Sequence, residues 1–481
     1  MFQILNLYIE RMIKIVFSNL FFIFAFLPVN IIFYFLSKNL KSKNFVLILF
    51  SLLFYAWGEP LWIGLLIFSS FIDYAYAIAI EKSDDNKKRK RLLITSIVIN
   101  LLLLGLFKYA GFFISNINFL FNLNLSIPQL SLPIGISFYT FQTVSYTVDV
   151  YCNRLKAQKS FAKFLMYVSL YPQLIAGPIV RYIDIEREID NREVSISGIS
   201  QGINRFIIGL GKKVIISNTA GALVAQFMDG NLVQLGVLDA WFGLFMYTIQ
   251  IYFDFSGYSD MAIGLGKIFG FTYCENFNYP YISKSATEFW RRWHISLGSF
   301  FRDYVYIPLG GTRTRQVLNL FVVWFLTGFW HGASWNFIIW GLYFGIIIYL
   351  EKKIFFKFTE KIPAFIQWFF AIIIIMIGWA IFYYVDLNNL EIFLKALFGL
   401  NNNPLYSDTL SITVMSNIVF ILIAIIGSTP LPSQLFRKLN NEHMLNKNLD
   451  YVVPVFNIVL IFCVISMLVG ESYNPFLYYR F

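Results

Sequence analysis

The chain has 481 residues, of which 58% are hydrophobic, 20% aromatic and only 14% charged, with a mean hydropathy of +0.64 and a formal net charge of +11. A soluble domain is about 45–50% apolar and about 25% charged, so this chain lacks the polar surface to clothe a globule in water. That excludes a soluble enzyme, a disordered protein and, despite 38 Lys+Arg against 27 Asp+Glu, a nucleic-acid binder; the basic excess belongs to membrane topology.

Residues 14–37 form an apolar run long enough to cross a bilayer as a helix. No small-residue cleavage site follows it, only Lys38, Lys41 and Lys43, so it is expected to remain as a span rather than leave as a signal peptide. Segments 44–57 and 61–80 come next, joined by Gly58-Glu59-Pro60, a turn that breaks a helix. The loop EKSDDNKKRKR (81–91) carries six basic and three acidic residues. With the loops 38–43 and 81–91 in the cytoplasm, the positive-inside rule is obeyed, and the first turn and the N-terminus face outward. Further apolar segments lie near 92–107, 109–122, 129–147, 161–178, 202–228, 232–253, 255–271, 317–350, 365–385, 411–427 and 452–469. Some are too short to cross alone, which gives an expectation of about eleven spans plus one or two re-entrant segments.

No internal repeat is visible, which argues against the inverted-repeat transporters. The polar stretches (181–201, 272–316, 386–410, 429–451) are each too small to fold as an independent domain. Any polysaccharide acceptor must therefore be presented by another protein. Cys152, Cys274 and Cys463 are widely separated with no CxxC, so neither a disulfide framework nor a metal site is expected.

The three histidines are the informative polar residues. His331 lies near the middle of NLFVVWFLTGFWHGASWNFIIWGLYFGIIIYL (319–350), flanked by Gly328 and Gly332, which allow a helix to break or another backbone to approach. An ionisable group inside a membrane is costly and points to function, and a desolvated imidazole favours the neutral form that a general base needs. The alternative is a histidine hydrogen-bonded between helices for packing. His294 lies in ATEFWRRWHISLGSFFRDYVYIPLGGTRTR (286–315), where Trp290, Trp293, Tyr304 and Tyr306 alternate with Arg291, Arg292, Arg302, Arg313 and Arg315. This pattern marks an interfacial or re-entrant segment. Its arginines either attract phosphates of a nucleotide-bearing donor or simply anchor at lipid headgroups.

Glu288 and Arg292 are spaced as a helical i,i+4 pair. His443 sits in a polar loop and reads as solvated. Asp254 and Asp260 stand in an apolar setting, where pairing with Arg is the favoured role over catalysis. GLGKIFG lacks the strand-turn-helix context of a phosphate loop. The terminal NPFLYYRF (474–481) suits an interfacial segment that folds back into the membrane protein, the alternative being a plain aromatic anchor.

Long ordered blocks resemble the membrane-bound O-acyltransferase (MBOAT) family: WRRWHISLGSFFRDYVYIPLGG and LTGFWHGASWNFIIWG, with VFSNLFFIFAFLP (16–28), SLLFYAWGEP (51–60), LPIGISFYTFQTVSYTVDVY (132–151), YPQLIAGPIVRY (171–182) and YFDFSGYSDMAIGLGKIFGF (252–271). The bacterial subgroup containing the membrane subunits of alginate and peptidoglycan O-acetylation is the nearest in pattern. The resemblance implies one all-α polytopic domain over 1–481 in a bacterial inner membrane, with a multi-span bundle around a central funnel or tunnel. It implies that His331 is the catalytic histidine and His294 a second functional one, both within a two-histidine region at 286–350. It also implies acetyl-CoA as the acyl donor with no bound cofactor, and an extracytoplasmic SGNH-type acetyltransferase or esterase-like partner. FLYYRF (476–481) is similar to a terminal aromatic motif of bacterial members in which a tyrosine carries the acyl group, and Tyr478 matches that position, although Tyr479 stands where Phe is commoner.

Together these give a mechanism in which Arg291, Arg292 and Arg302 draw in the donor phosphates and His331 deprotonates an acceptor hydroxyl, that of Tyr478 being one. Tyrosine, with a reference pKa of about 10, needs such a base. His294 orients the acyl group or stabilises the oxyanion, a role worth on the order of 3–4 kcal/mol. The rivals are D-alanyl transfer to teichoic acid, a transporter or channel without acyl chemistry, and a glycosyltransferase, the last disfavoured because no cytoplasmic domain with paired acidic motifs is present.

Overall fold

The computed structural model describes residues 16–481 except 129, 176, 356–360, 401, 442–445, 471–475 and 478–481, and only the backbone of 440, 441 and 446–450. Among these residues every regular element is helical and none is a strand. In chain order, the helices used below are α1 (Leu40–Gly58), α2 (Ile63–Glu81), α3 (Asn86–Leu104), α4 (Ile136–Tyr151), α5 (Ile196–Gly211), α6 (Val237–Ile268), α7 (Ala286–Arg292), α8 (Ile295–Phe301), α9 (Gln316–His331), α10 (Trp335–Lys353) and α11 (Ala364–Tyr383).

Six helices among the described residues are long and apolar enough to cross a bilayer: Leu40–Gly58, Ile63–Glu81, Asn86–Phe121, Ile196–Met228, Ala364–Tyr383 and Tyr451–Leu468. The pair Asp408–Ser416 and Ile418–Gly427, bent by 66°, makes a seventh if taken as one broken span. Phe22–Leu36 and Gln316–His331 are apolar but shorter. Hydropathy divides the chain more finely than the backbone does. The segments 92–107 and 109–122 join into one helix, because Gly105–Tyr109 widens into a π turn instead of breaking. Likewise 232–253 and 255–271 merge into the 32-residue α6. The apolar run at 319–350, by contrast, is two helices, α9 and α10.

The chain divides into two compact units, with α5 and α6 contributing to both. The first comprises the residues up to Phe206, Tyr258–Cys274 and the stretch from Leu468. Here α1 starts at Asn39, whose side chain caps Ser42 N at 2.8 Å, and stops at the Gly58-Glu59-Pro60 turn. Asp73 of α2 is fully buried and accepts from Ser96 Oγ at 2.6 Å and Asn100 Nδ2 at 2.8 Å, both on α3. Such interhelical bonds replace the water that a membrane withholds. Close backbone approach joins α5 to α6, since a Cβ on Gly202 would stand 2.6 Å from the Gly264 carbonyl oxygen. Arg205 and Asp260 pair at 2.7 Å in the same contact, as the sequence suggested for this aspartate.

The second unit comprises Ile207–Gly257 and Glu275–Met467 and holds both 286–350 histidines. Lys213, on the π turn Lys212–Ser217 that follows α5, meets Asp254 of α6 at 2.6 Å, with both side chains 4% exposed. Asp254 is thus neutralised by a lysine, not the arginine that its setting suggested.

Candidate active site

His331 is the last residue of α9. The helix stops there because Gly332 turns to extended backbone (φ −169, ψ 157), and α10 begins three residues later at Trp335. The two helices fold back on each other through a glycine contact. A Cβ on Gly328 would collide with the Phe337 carbonyl oxygen and lie 3.1 Å from Gly341 Cα. Gly328 therefore serves backbone approach, and at Gly332 a Cβ would collide with the Phe337 ring. Gly328→Ala is expected to destabilise the protein by about 1–3 kcal/mol, because the obstructing atoms are backbone and cannot rotate away; the unfolding midpoint in detergent measures it.

This hairpin sets the His331 imidazole, half-buried, among the rings of Trp330, Trp340 and Phe382, with centroids at 4.9, 5.0 and 5.2 Å. The helix–turn–helix that carries it is braced by edge-to-face aromatic contacts, Trp290 to Trp340 at 5.3 Å and Trp290 to Trp324 at 5.1 Å.

His294 occupies the joint between α7 and α8 in left-handed backbone (φ 45) and is buried. Two backbone bonds clamp that joint to the preceding loop: Asn278 N donates to Arg292 O at 2.9 Å, and Ile295 N donates to Asn276 O at 3.0 Å. The ring lies edge-on to Phe255 at 4.6 Å, and Nδ1 lies 3.2 Å from Asn276 Oδ1. Burial pushes the imidazole down to about 3, so the ring is neutral near neutral pH. The Trp330 indole is flanked by both imidazoles, with centroids 6.1 Å from His294 and 4.9 Å from His331. The two histidines of 286–350 therefore belong to one aromatic cluster.

The arginines divide. Arg292 is held by Glu288 at 2.9 Å, the helical pair expected, and Arg302 by Asp303 at 2.7 Å. Arg291 is exposed at the end of α7, near Lys352 at the end of α10. Burial lowers the Lys352 ammonium below its ordinary value and Arg291 lowers it further, against Glu351, which raises it. The C-terminal ends of α7 and α10 thus bring their basic residues into one patch.

Two residues of the site carry no sequence signal. Glu351, buried at the end of α10, accepts from Ala286 N at 2.6 Å and from Thr287 N at 2.8 Å. It caps the start of α7 from 65 residues away and so ties the helix leading to His294 to the one that follows His331. Asn276 is the other, linked to His294 from 18 residues upstream. A pair separated this far leaves no periodicity to read.

Phe476 and Leu477 are buried, with the Phe476 ring edge-on to Tyr258 at 4.9 Å, so the terminal motif does fold back onto the protein at these two residues. Tyr478 and His443 lie outside the described residues.

Residues 47–385 match the membrane-bound O-acyltransferase family, and the chain belongs to it. It is a multi-pass membrane protein and an O-acyltransferase. Over 502 aligned positions it is 35% identical to a probable alginate O-acetylase AlgI of Azotobacter vinelandii, covering 97% of this chain and 100% of that one. It is 33% identical to a peptidoglycan O-acetyltransferase of Helicobacter pylori, over 96% of this chain and 91% of the relative. A teichoic acid D-alanyltransferase of Bacillus subtilis is also 33% identical, but over 45% of this chain and 58% of its own length.

Proposed function

We propose that this protein takes an acetyl group from cytoplasmic acetyl-CoA and passes it across a bacterial inner membrane to an extracytoplasmic SGNH-type acetyltransferase, which O-acetylates an envelope polysaccharide of the peptidoglycan or alginate kind. The observation that carries this reading is the end-to-end similarity to two O-acetylases of different polymers. D-alanyl transfer is supported by partial matches that cover less than half of this chain. A transporter without chemistry leaves the family membership unexplained.

In this mechanism Arg291, with Arg292 and Arg302, attracts the donor phosphates, and the spans surround a funnel along which the thioester reaches His331. The acceptor hydroxyl, that of Tyr478, gives its proton to His331 while its oxygen attacks the thioester carbonyl carbon. The C–S bond breaks, His331 returns the proton to the thiolate, and CoA leaves as the thiol. His294 orients the acyl group. The acetyl-tyrosine then acylates the partner.

Purified protein incubated with acetyl-labelled acetyl-CoA and unlabelled CoA is expected to show acyl exchange and to retain label on Tyr478, and Tyr478→Phe is expected to lose that label. No exchange by the parent protein refutes acetyl transfer. Full transfer to the partner by Tyr478→Phe refutes the covalent relay.

A further inference from the structure

The hydrogen-bond pattern around His294 fixes where its proton sits. Three groups point at the Oδ1 atom of Asn276: Ser296 N at 3.2 Å, Ser296 Oγ at 2.9 Å and His294 Nδ1 at 3.2 Å. A backbone N–H can only donate, so the Asn276 atom that meets Ser296 N must be the oxygen and not the amide nitrogen. That oxygen carries no hydrogen, and its contact with the imidazole is a bond only if Nδ1 supplies one. A neutral imidazole has a single N–H, which leaves a lone pair at Nε2. The Nε2 atom is buried and has no partner among the described residues.

We propose that Asn276 is a positioning residue that locks His294 with its proton on Nδ1, so that His294 meets the substrate as a hydrogen-bond acceptor at Nε2. The inference rests on the acetyl-transfer reading and narrows it. An oxyanion requires a donor, and Nε2 in this tautomer is not one. The acetyl group has no O–H or N–H, so the matching group lies elsewhere on the donor or acceptor, and His294 holds that group in place of the acyl group while His331 moves the proton. Burial supports the neutral ring; among the described residues the groups facing the ring are Asn276, Ser296, Phe255 and Trp330, none of them charged.

The test has two arms on the full-length protein. The first reads the tautomer without any reaction: with three histidines in the chain, ¹⁵N-histidine spectra of the parent against His294→Asn assign the His294 pair. Nδ1 is expected to appear as the protonated nitrogen and Nε2 as the bare one, and the reverse overturns the proposal. The second arm compares Asn276→Leu with Asn276→Asp in acetyl exchange. Leucine accepts nothing, and exchange is expected to fall about 10²-fold from lost orientation.

Aspartate still accepts from Nδ1 and is expected to restore exchange at alkaline pH. Its carboxylate favours the imidazolium and raises the pKa of the ring. Exchange in Asn276→Asp is then lost as pH falls through that raised value, so its acidic limb stands at higher pH than the parent's. If Asn276→Leu exchanges like the parent, or the limb of Asn276→Asp does not move, Asn276 does not act through the proton of His294. Parental exchange that is absent altogether refutes acetyl transfer and leaves the spectral arm standing.

Discussion

His331→Ala is expected to lower envelope acetylation about 10²–10⁴-fold, the usual contribution of a positioned proton-transfer group, with the membrane abundance of the protein unchanged. The position is favourable for such a group. The ring closes a helix end fixed by Gly332 and packs against Trp330, Trp340 and Phe382, so its orientation is set by neighbours that themselves interlock. Alanine also leaves a void in this aromatic wall. His331→Gln is therefore the companion variant, since it fills much of the space and offers polar atoms without a titratable nitrogen. Both variants are expected to fail alike. Parental acetylation in either, at equal abundance, removes His331 from the proton path.

Lys213→Met is expected to cost about 3–5 kcal/mol of stability, because it takes the buried cationic partner away from the buried Asp254 carboxylate. Lys213 and Asp254 are each 4% exposed and 2.6 Å apart, with Ser217 Oγ adding a bond to the same carboxylate oxygen at 3.3 Å. Combining Lys213→Met with Asp254→Leu removes both charges and is expected to recover most of the loss. Unfolding midpoints of the three variants in one detergent decide it, and a double variant no more stable than the single one shows that the stranded charge is not the cause.

The sequence made legible whatever depends on neighbours along the chain. The helix-breaking turn at Gly58-Glu59-Pro60, the Glu288–Arg292 pair and the break or close approach that Gly328 and Gly332 allow around His331 follow from local residue chemistry, and the structure bears them out. Hydropathy alone could not tell a π turn at Gly105–Tyr109 from a loop, because the same polar interruption, Lys108, marks either. Nor could it tell a hairpin at 332–334 from a continuous span, since glycine and serine are tolerated in both. The contacts that locate the histidines are of another kind. Asn276 to His294, Glu351 to α7 and Lys213 to Asp254 join positions 18, 65 and 41 residues apart, and only the packed chain brings them together.

The left-handed backbone at His294 has a genetic consequence. Apart from glycine, the residues that most readily take that conformation are asparagine, aspartate and histidine. Codon drift at this position is therefore steered: one base change from a histidine codon reaches asparagine, which keeps the joint between α7 and α8 while deleting the imidazole. Alanine strains the joint as well as removing the ring, so a deficit in His294→Ala mixes two causes. Asparagine is the substitution that separates chemistry from architecture here, and with aspartate it lies a single base change from histidine.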